Sequence, residues 1–419
     1  MINYSTTNSN LKRGICNYSK KICKGLNRPE MKFVCDMTYG MLASGSSMLS
    51  EIARNLNEKI PLIKTVNRLS RNLQELSDDE CSAVLENYLK AIKPRYNNQS
   101  VIVIDGSDIT KPASKKLEAL CRVRDGSTGE IATGYHTIGA AVLSSENKLP
   151  FGVYSRVYSS EEADFVSEDQ EMLDCFDFLS RHFEKSNIRT MDRGFDNNRY
   201  YRYFIENDEK FIIRAKKNRN VKYKGKTENI LDVASKFKGK YALKFMDKNG
   251  KKVDVKIGII PIELCDFQGV QLNLVVVYGF GETPMMLITN LNSDDKRICV
   301  TVCKVYLMRW RIEEYFKFKK QSFDYENLRV RSLRSIRNLD FLLTMAIGYV
   351  SKLSDGDNTM ILRLEVIAAS KRLFEVSDFL YYSIAYGIFE ILKYTKRGIA
   401  EHLRPPINDG QLCFADWVA

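Results

Sequence analysis

Residues 306–320 read Tyr-Leu-Met-Arg-Trp-Arg-Ile-Glu-Glu-Tyr-Phe-Lys-Phe-Lys-Lys, and an α-helix sorts them cleanly. At about 100° per residue, Tyr306, Arg309, Glu313 and Lys320 fall within an arc of about 60°. Leu307, Met308, Ile312, Tyr315 and Phe318 fall on the opposite side and make an apolar stripe fit for a core. The helix must therefore lie on a core and turn a carboxylate, flanked by two cations and a phenol, toward whatever the fold leaves open. A carboxylate can hold a metal ion, and cations along one face can hold phosphates. Glu313 lies on the polar stripe and Glu314 on its edge, which ranks the two neighbours.

Two further acids end predicted strands. Val101-Ile102-Val103-Ile104-Asp105-Gly106 is a β-branched run that suits a buried central strand with Asp105 emerging at its end. Residues 187–192 form another strand, ending in Asp192 and followed by Arg193-Gly194-Phe195-Asp196. His136 to Leu143 and Phe151 to Tyr158 are strand candidates around the turn 144–148. Ser167 to Phe183 and Asn197 to Asn207 read as helices, and Lys210 to Lys216 as a strand. From Lys217 to about Leu291 alternating segments dominate, with lysines dense from Lys216 to Lys256. This predicts an inserted β domain with a basic surface, although a merely solvated face gives the same pattern.

Residues 1 to about 95 look helical. Ser50 is a plausible N-cap for a segment ending at Leu56, and a second amphipathic segment runs from Leu62 to Leu73, with Pro61 breaking the chain between them. The pair resembles a helix-turn-helix with Lys64, Asn67, Arg68 and Arg71 able to face DNA. An ordinary helical hairpin fits equally well. Residues 327–353 are helical with Arg329, Arg331, Arg334 and Arg337 near the start, and 359–419 are mostly helical. The uncharged stretch Phe379 to Phe389 suits a buried or dimer-contact helix.

The 419 residues allow two or three domains, and the formal charge of +12 suggests a polyanionic partner. No run reaches the roughly 18 apolar residues of a membrane span. The start is polar, and the ten cysteines form no Cys-x-x-Cys, which suggests a cytoplasmic protein with reduced thiols. Only three histidines are present, so a His-rich zinc site is disfavoured, and no Gly-x-Ser-x-Gly elbow occurs. Gly225-Lys226-Thr227 lacks the upstream glycine of a phosphate-binding loop. What remains is the set Asp105, Asp192 and Glu313. Mg²⁺ prefers carboxylate oxygens and keeps several waters, so three acids can suffice for phosphoryl transfer. Asp108 and Asp196, expected in the loops or helix starts that follow, rank lower.

In this order the motifs resemble a known family. Tyr306-x2-Arg309-x3-Glu313-x6-Lys320 is similar to the YREK signature of DDE transposases of the insertion-sequence-four family. Asp105-Gly106-Ser107 resembles its first-Asp motif, and Asp192-Arg193-Gly194-Phe195-Asp196 its second. The resemblance covers about residues 30 to 350. It implies an α/β fold: an RNase H-like core, a mixed sheet flanked by helices, in two parts at 96–216 and 298–352. A β-rich basic domain is then inserted at 217–297, between a helical DNA-binding region at 1–95 and a helical C-terminal region at 353–419 suited to dimerisation. Asp105, Asp192 and Glu313 would bind two Mg²⁺ ions, with Mn²⁺ able to substitute. Tyr306, Arg309 and Lys320 would contact DNA, with Trp310, Arg193, Lys64 and Arg68 as further DNA-binding candidates. Trp310 serves equally well as a packing residue. The implied partners are double-stranded DNA, both terminal inverted repeats and target, and a second copy of the chain. The implied protein is a prokaryotic, DNA-associated cut-and-paste transposase. Some members hold a flipped base with a tryptophan in the insertion, but here the only tryptophans are Trp310 and Trp417. Stacking would fall to Tyr241, Phe245, Phe267, Tyr278 or Phe280. A non-catalytic DNA-binding derivative and a simple nuclease of the same fold are the alternatives.

Overall fold

A computed structural model describes residues 4–403, apart from Ser127, Lys238, 247–251, 293–294, 357–359, 372–378, Tyr394 and 396–397. Trp417 and the helical reading of the chain beyond 403 lie outside the described residues. The chain divides into two compact units, residues 1–91 with 321–419, and residues 92–320.

The first unit opens with α1 (Tyr4–Ile22), α2 (Arg28–Ser44), α3 (Leu49–Leu56), α4 (Leu62–Glu75) and α5 (Asp78–Ile92). A capping box starts α2, with Asn27 and Glu30 satisfying each other's backbone N–H groups. Every residue of α2 from Phe33 to Ala43 is buried. Pro61 breaks the chain as expected and stands at the N-cap of α4. Ser50 is not the cap expected: α3 begins at Leu49 behind Met48, whose N–H is already satisfied by the Ser46 hydroxyl at 3.1 Å.

The second unit is built on one sheet. Its strands are β1 (Val101–Thr110), β2 (Cys121–Arg124), β3 (Ile131–Leu143), β4 (Pro150–Tyr158), β5 (Ile188–Met191), β6 (Phe211–Arg214), β7 (Asn220–Tyr223), β8 (Lys226–Asn229), β9 (Tyr241–Met246), β10 (Lys252–Leu264), β11 (Leu272–Tyr278) and β12 (Met285–Thr289). β3 runs antiparallel between β1 and β4, while β1, β5 and β6 are parallel neighbours. The order β4-β3-β1-β5-β6 with these directions is an RNase H-like core. Val101 to Ile104 are all buried, as a central strand covered on both faces requires. The β-rich segment does not form a sheet of its own: β12 pairs with β6, and β11 and β10 follow in the same sheet. Helices α6 (Glu168–His182), α7 (Asn198–Glu206), α8 (Ile230–Ser235), α9 (Asp295–Met308) and α10 (Trp310–Ser322) complete the unit. Ser167 caps α6, and Glu168, Asp169 and Glu171 in its first turn suit the helix dipole. Phe176 of α6 packs against Phe204 of α7 with ring centroids 4.7 Å apart.

The first unit resumes with α11 (Leu333–Asp355), α12 (Met360–Ala369) and α13 (Tyr381–Leu392). Ser332 caps α11, which is buried along almost its whole length. At Gly348 a Cβ would stand 2.6 Å from the Tyr88 ring, so the missing side chain lets α5 close on α11. The Tyr18 hydroxyl donates to the Met345 carbonyl at 2.7 Å and ties α1 to the same helix.

Candidate active site

Strand register brings the first two acids together. Val103 pairs with Thr190 across the parallel β1–β5 ladder, and Asp105 and Asp192 each stand two residues further on. They therefore lie at the same level and on the same face, on chains about 4.8 Å apart. The third acid comes from α10. Gly139 of β3 lies opposite Asp105, and a Cβ there would meet the Phe316 ring at 2.6 Å. The bare glycine lets α10 settle on the sheet beside Asp105, with Glu313 one turn before Phe316.

Arg309 is the hub. Its guanidinium donates to Asp105 Oδ2 at 3.0 Å and to Glu313 Oε1 at 2.5 Å. The expected single helix over 306–320 is interrupted at this residue, since α9 ends at Met308 and α10 begins at Trp310. Around it, i→i−3 bonds from Arg309 N to Tyr306 O and from Ile312 N to Arg309 O tighten the turn. The expected shared face still holds for Tyr306, Arg309 and Glu313. The Tyr306 hydroxyl donates to Asp192 Oδ1 at 2.9 Å, and Arg214 lies 3.9 Å from the same oxygen. Lys320 instead meets Asp108 Oδ2 at 3.1 Å.

The electrostatics follow from this crowding. Burial pushes the Asp105 carboxyl up to about 7; Arg309 opposes the rise, while Asp192 and Glu313 add to it. Burial raises Asp192 too, but Arg309, the Arg193 N–H, Tyr306 and Arg214 outweigh it and leave its carboxyl below the usual range. Burial, then the charge of Asp192, lifts the Tyr306 phenol to about 12, so it remains a hydrogen-bond donor. Burial disfavours the Arg309 charge, yet Tyr306 and the three acids hold it even more firmly than usual.

The donor set suits a hard divalent cation. All three side chains offer oxygen, and Asp105 is half-buried beside like charges that a cation would relieve. Among the described residues no three acids, histidines or cysteines are gathered closely enough to enclose an ion, and Arg309 bonds both Asp105 and Glu313.

Two of the lower-ranked acids have structural partners. Asp108 lies within β1, not in the loop expected, because the strand continues four residues past Gly106 along β3. Asp196 accepts from the Tyr201 hydroxyl at 3.0 Å and the Lys216 N–H at 2.7 Å, and it pairs with Arg219.

A cavity of about 500 Å³ opens beside Asp192, lined by Arg193, Arg214, Lys216, Lys217 and Thr283 among others. Arg193 is exposed at its edge and Trp310 is half-buried. The sequence reading missed Arg214, Lys216 and Lys217 as site residues. No local pattern marks them: it is the parallel pairing of β6 with β5 that brings the end of β6 and the residues after it next to Asp192.

Residues 96–348, more than half of the chain, match the family model of the transposase DDE domain. The chain belongs to the DDE transposase family. No curated protein matches this transposase. One solved structure that does is a cryo-EM structure of a piggyBac transposase synaptic complex with hairpin DNA. The likeness has a TM-score of 0.46 and 9% identity, over 92% of this chain and 74% of that one. Among the described residues, no helix of the transposase is long and apolar enough to cross a membrane.

The first unit of the transposase holds the other two candidates, Lys64 and Arg68, on α4. Lys64 is exposed. Arg68 contacts Glu58 at 2.9 Å and the buried Asp36 at 3.0 Å, and Lys32 also reaches Asp36 at 2.6 Å. Burial raises the Asp36 carboxyl above its ordinary range despite these cations. Arg68→Ala should therefore lower the urea unfolding stability by about 1–3 kcal/mol, because a buried acid loses a partner. An unchanged unfolding midpoint together with weaker DNA binding would return Arg68 to the DNA-contacting set.

Proposed function

We propose that this chain is the transposase of an insertion sequence of the insertion-sequence-four type, with Tyr306, Arg309, Glu313 and Lys320 as its YREK signature. On this reading it binds the terminal inverted repeats, cleaves there and joins the freed end to target DNA. The observation that carries it is the engagement of Asp105 and Glu313 by Arg309, with Asp192 just past the end of β5, the strand parallel to β1.

Asp105, Asp192 and Glu313 would hold Mg²⁺ or Mn²⁺. Such ions supply charge stabilisation for the attacking and leaving oxygens of phosphoryl transfer. The chain's own groups do the remaining work. Tyr306 orients Asp192 by donating to it, and Arg309 holds Asp105 and Glu313 in position. Arg193, Arg214, Lys216 and Lys217 offer phosphate contacts beside Asp192, where the cavity admits a strand. Water attacks the phosphodiester at the element's end and releases a 3′-hydroxyl, and that hydroxyl then attacks a target phosphodiester. The helical regions at 1–95 and 353–419 serve end binding and dimerisation in a paired complex. The protein is cytoplasmic and acts on the chromosome of a prokaryotic host.

A strand-transfer assay tests the reading. Pre-cleaved end duplex, Mg²⁺ and a supercoiled plasmid should give joined products, and EDTA should remove them. Cutting without joining supports the nuclease alternative, and binding without cutting supports the non-catalytic derivative.

A further inference from the structure

A groove of about 820 Å³ in the first unit plays no part in the chemistry above. One wall is α4, another is the segment 329–332 that leads into α11, and Ser47 to Ser50 at the start of α3 also line it. Asn67, Ser70, Arg71 and Gln74 line it from α4, and their spacing puts them on a single helix face. Arg68 lies off that face, held by Asp36 and Glu58.

The opposite wall has a strand-like alternation. Leu328 and Val330 are buried, while Arg329 and Arg331 are exposed. Leu328 and Val330 anchor the segment, and Arg329 and Arg331 line the groove together with Val330. The two walls are tied together. Ser335 Oγ donates to Gln74 Oε1 at 2.7 Å, and Asn338 Nδ2 donates to the carbonyls of Leu73 at 2.8 Å and Leu76 at 2.9 Å. The arginines are thus mounted on a fixed frame. Glu75 is the one acid in the lining, 4.0 Å from Arg71 in an exposed pair that contributes little.

We propose that this groove seats the phosphate backbone of double-stranded DNA, with Arg329 and Arg331 on one wall and Arg71 on the other as phosphate contacts. Guanidinium groups bind phosphate in a bidentate way, and the amide and hydroxyl groups of Asn67 and Ser70 add neutral contacts. The proposal rests on the DNA-processing reading of the chain. It assigns the DNA-facing side of α4 to Asn67, Ser70 and Arg71.

The test measures Kd against salt for the full chain on two fluorescent duplexes, one from the DNA flanking the coding sequence and one of unrelated sequence. Arg329→Ala/Arg331→Ala should weaken binding to both by about tenfold or more at moderate salt, and should reduce the slope of log K against log salt by about two. Arg71→Ala should reduce it by about one. Lys21→Ala/Lys24→Ala removes the same charge from exposed positions elsewhere and should change neither. Thermal midpoints check that each variant folds. Unchanged Kd and slope in the folded arginine variants, with wild type binding and cutting normally, would overturn the groove alone. A wild type that binds neither duplex would overturn both the groove and the proposed function. An equal loss in the Lys21/Lys24 control would reduce the effect to net charge and also overturn the groove.

Discussion

Glu313→Gln should lower the rate of end cleavage by about 10³-fold or more, roughly 4 kcal/mol of barrier, while terminal DNA binding survives. The substitution keeps size and hydrogen-bonding capacity but removes the charge that would balance a bound cation. It leaves the packing alone, because Glu313 is exposed on α10 and its partner Arg309 retains Asp105. The neighbouring Glu314→Gln should stay within about threefold of wild type, a difference under 1 kcal/mol. Single-turnover cleavage of a labelled end duplex, beside a binding assay on the same preparations, reads both effects. If Glu314→Gln abolished cleavage and Glu313→Gln did not, the helix face would be misassigned.

The largest stability effect is expected at Glu209. Its carboxylate lies 3.2 Å from Arg189 Nε, and both side chains are only 1% exposed. The contact has ion-pair distance without the alignment of a hydrogen bond. Arg189 also donates to the carbonyls of Glu184 at 2.9 Å, Lys185 at 3.2 Å and Asn187 at 2.6 Å. The pair thereby links the approach to β5 with the approach to β6, at the end of the strands away from Asp192. Removing one partner of a buried pair strands the other charge and costs about 3–5 kcal/mol. Glu209→Ala should therefore lower the thermal midpoint by about 10 °C. Glu206→Ala, an exposed acid on α7, should stay within about 0.5 kcal/mol. A Glu209→Ala midpoint no lower than that of the control would show that the buried pair contributes nothing.

Local pattern accounts for much of what could be read before the structure. A β-branched run ending in an acid predicts Asp105 at a buried strand, and helical periodicity picks Glu313 over Glu314 and groups it with Tyr306 and Arg309. What stayed hidden depends on contacts between distant residues. The trapping of Arg68 needs Asp36 and Glu58, which no periodicity connects to it. The extension of β1 to Thr110 rests on pairing with β3, and polar Ser107 and Asp108 carry no strand signal. The single sheet running from β6 into β12 is likewise a matter of long-range pairing. Lys216 and Lys217 read as the start of a solvated lysine stretch, and only the parallel β5–β6 ladder turns them toward Asp192. The break between α9 and α10 falls at Arg309, which bonds Glu313 one turn on and Asp105 from a distant strand, and the latter partner is not legible in the local sequence.

On the proposed function, Asp105, Asp192 and Glu313 act as one metal-dependent DNA-cutting set. The most direct measurement is nicking of an end-labelled duplex that spans the junction of the element's terminal repeat and its flanking DNA. Wild type, Asp105→Asn, Asp192→Asn and Glu313→Gln would be compared with Mg²⁺ and with EDTA on a denaturing gel. Wild type should nick at the repeat boundary and leave a 3′-hydroxyl, only with the metal, and the nick should disappear in all three variants although each still binds the duplex. Nicking at the wild-type rate in any one of the three, or in EDTA, would contradict that assignment.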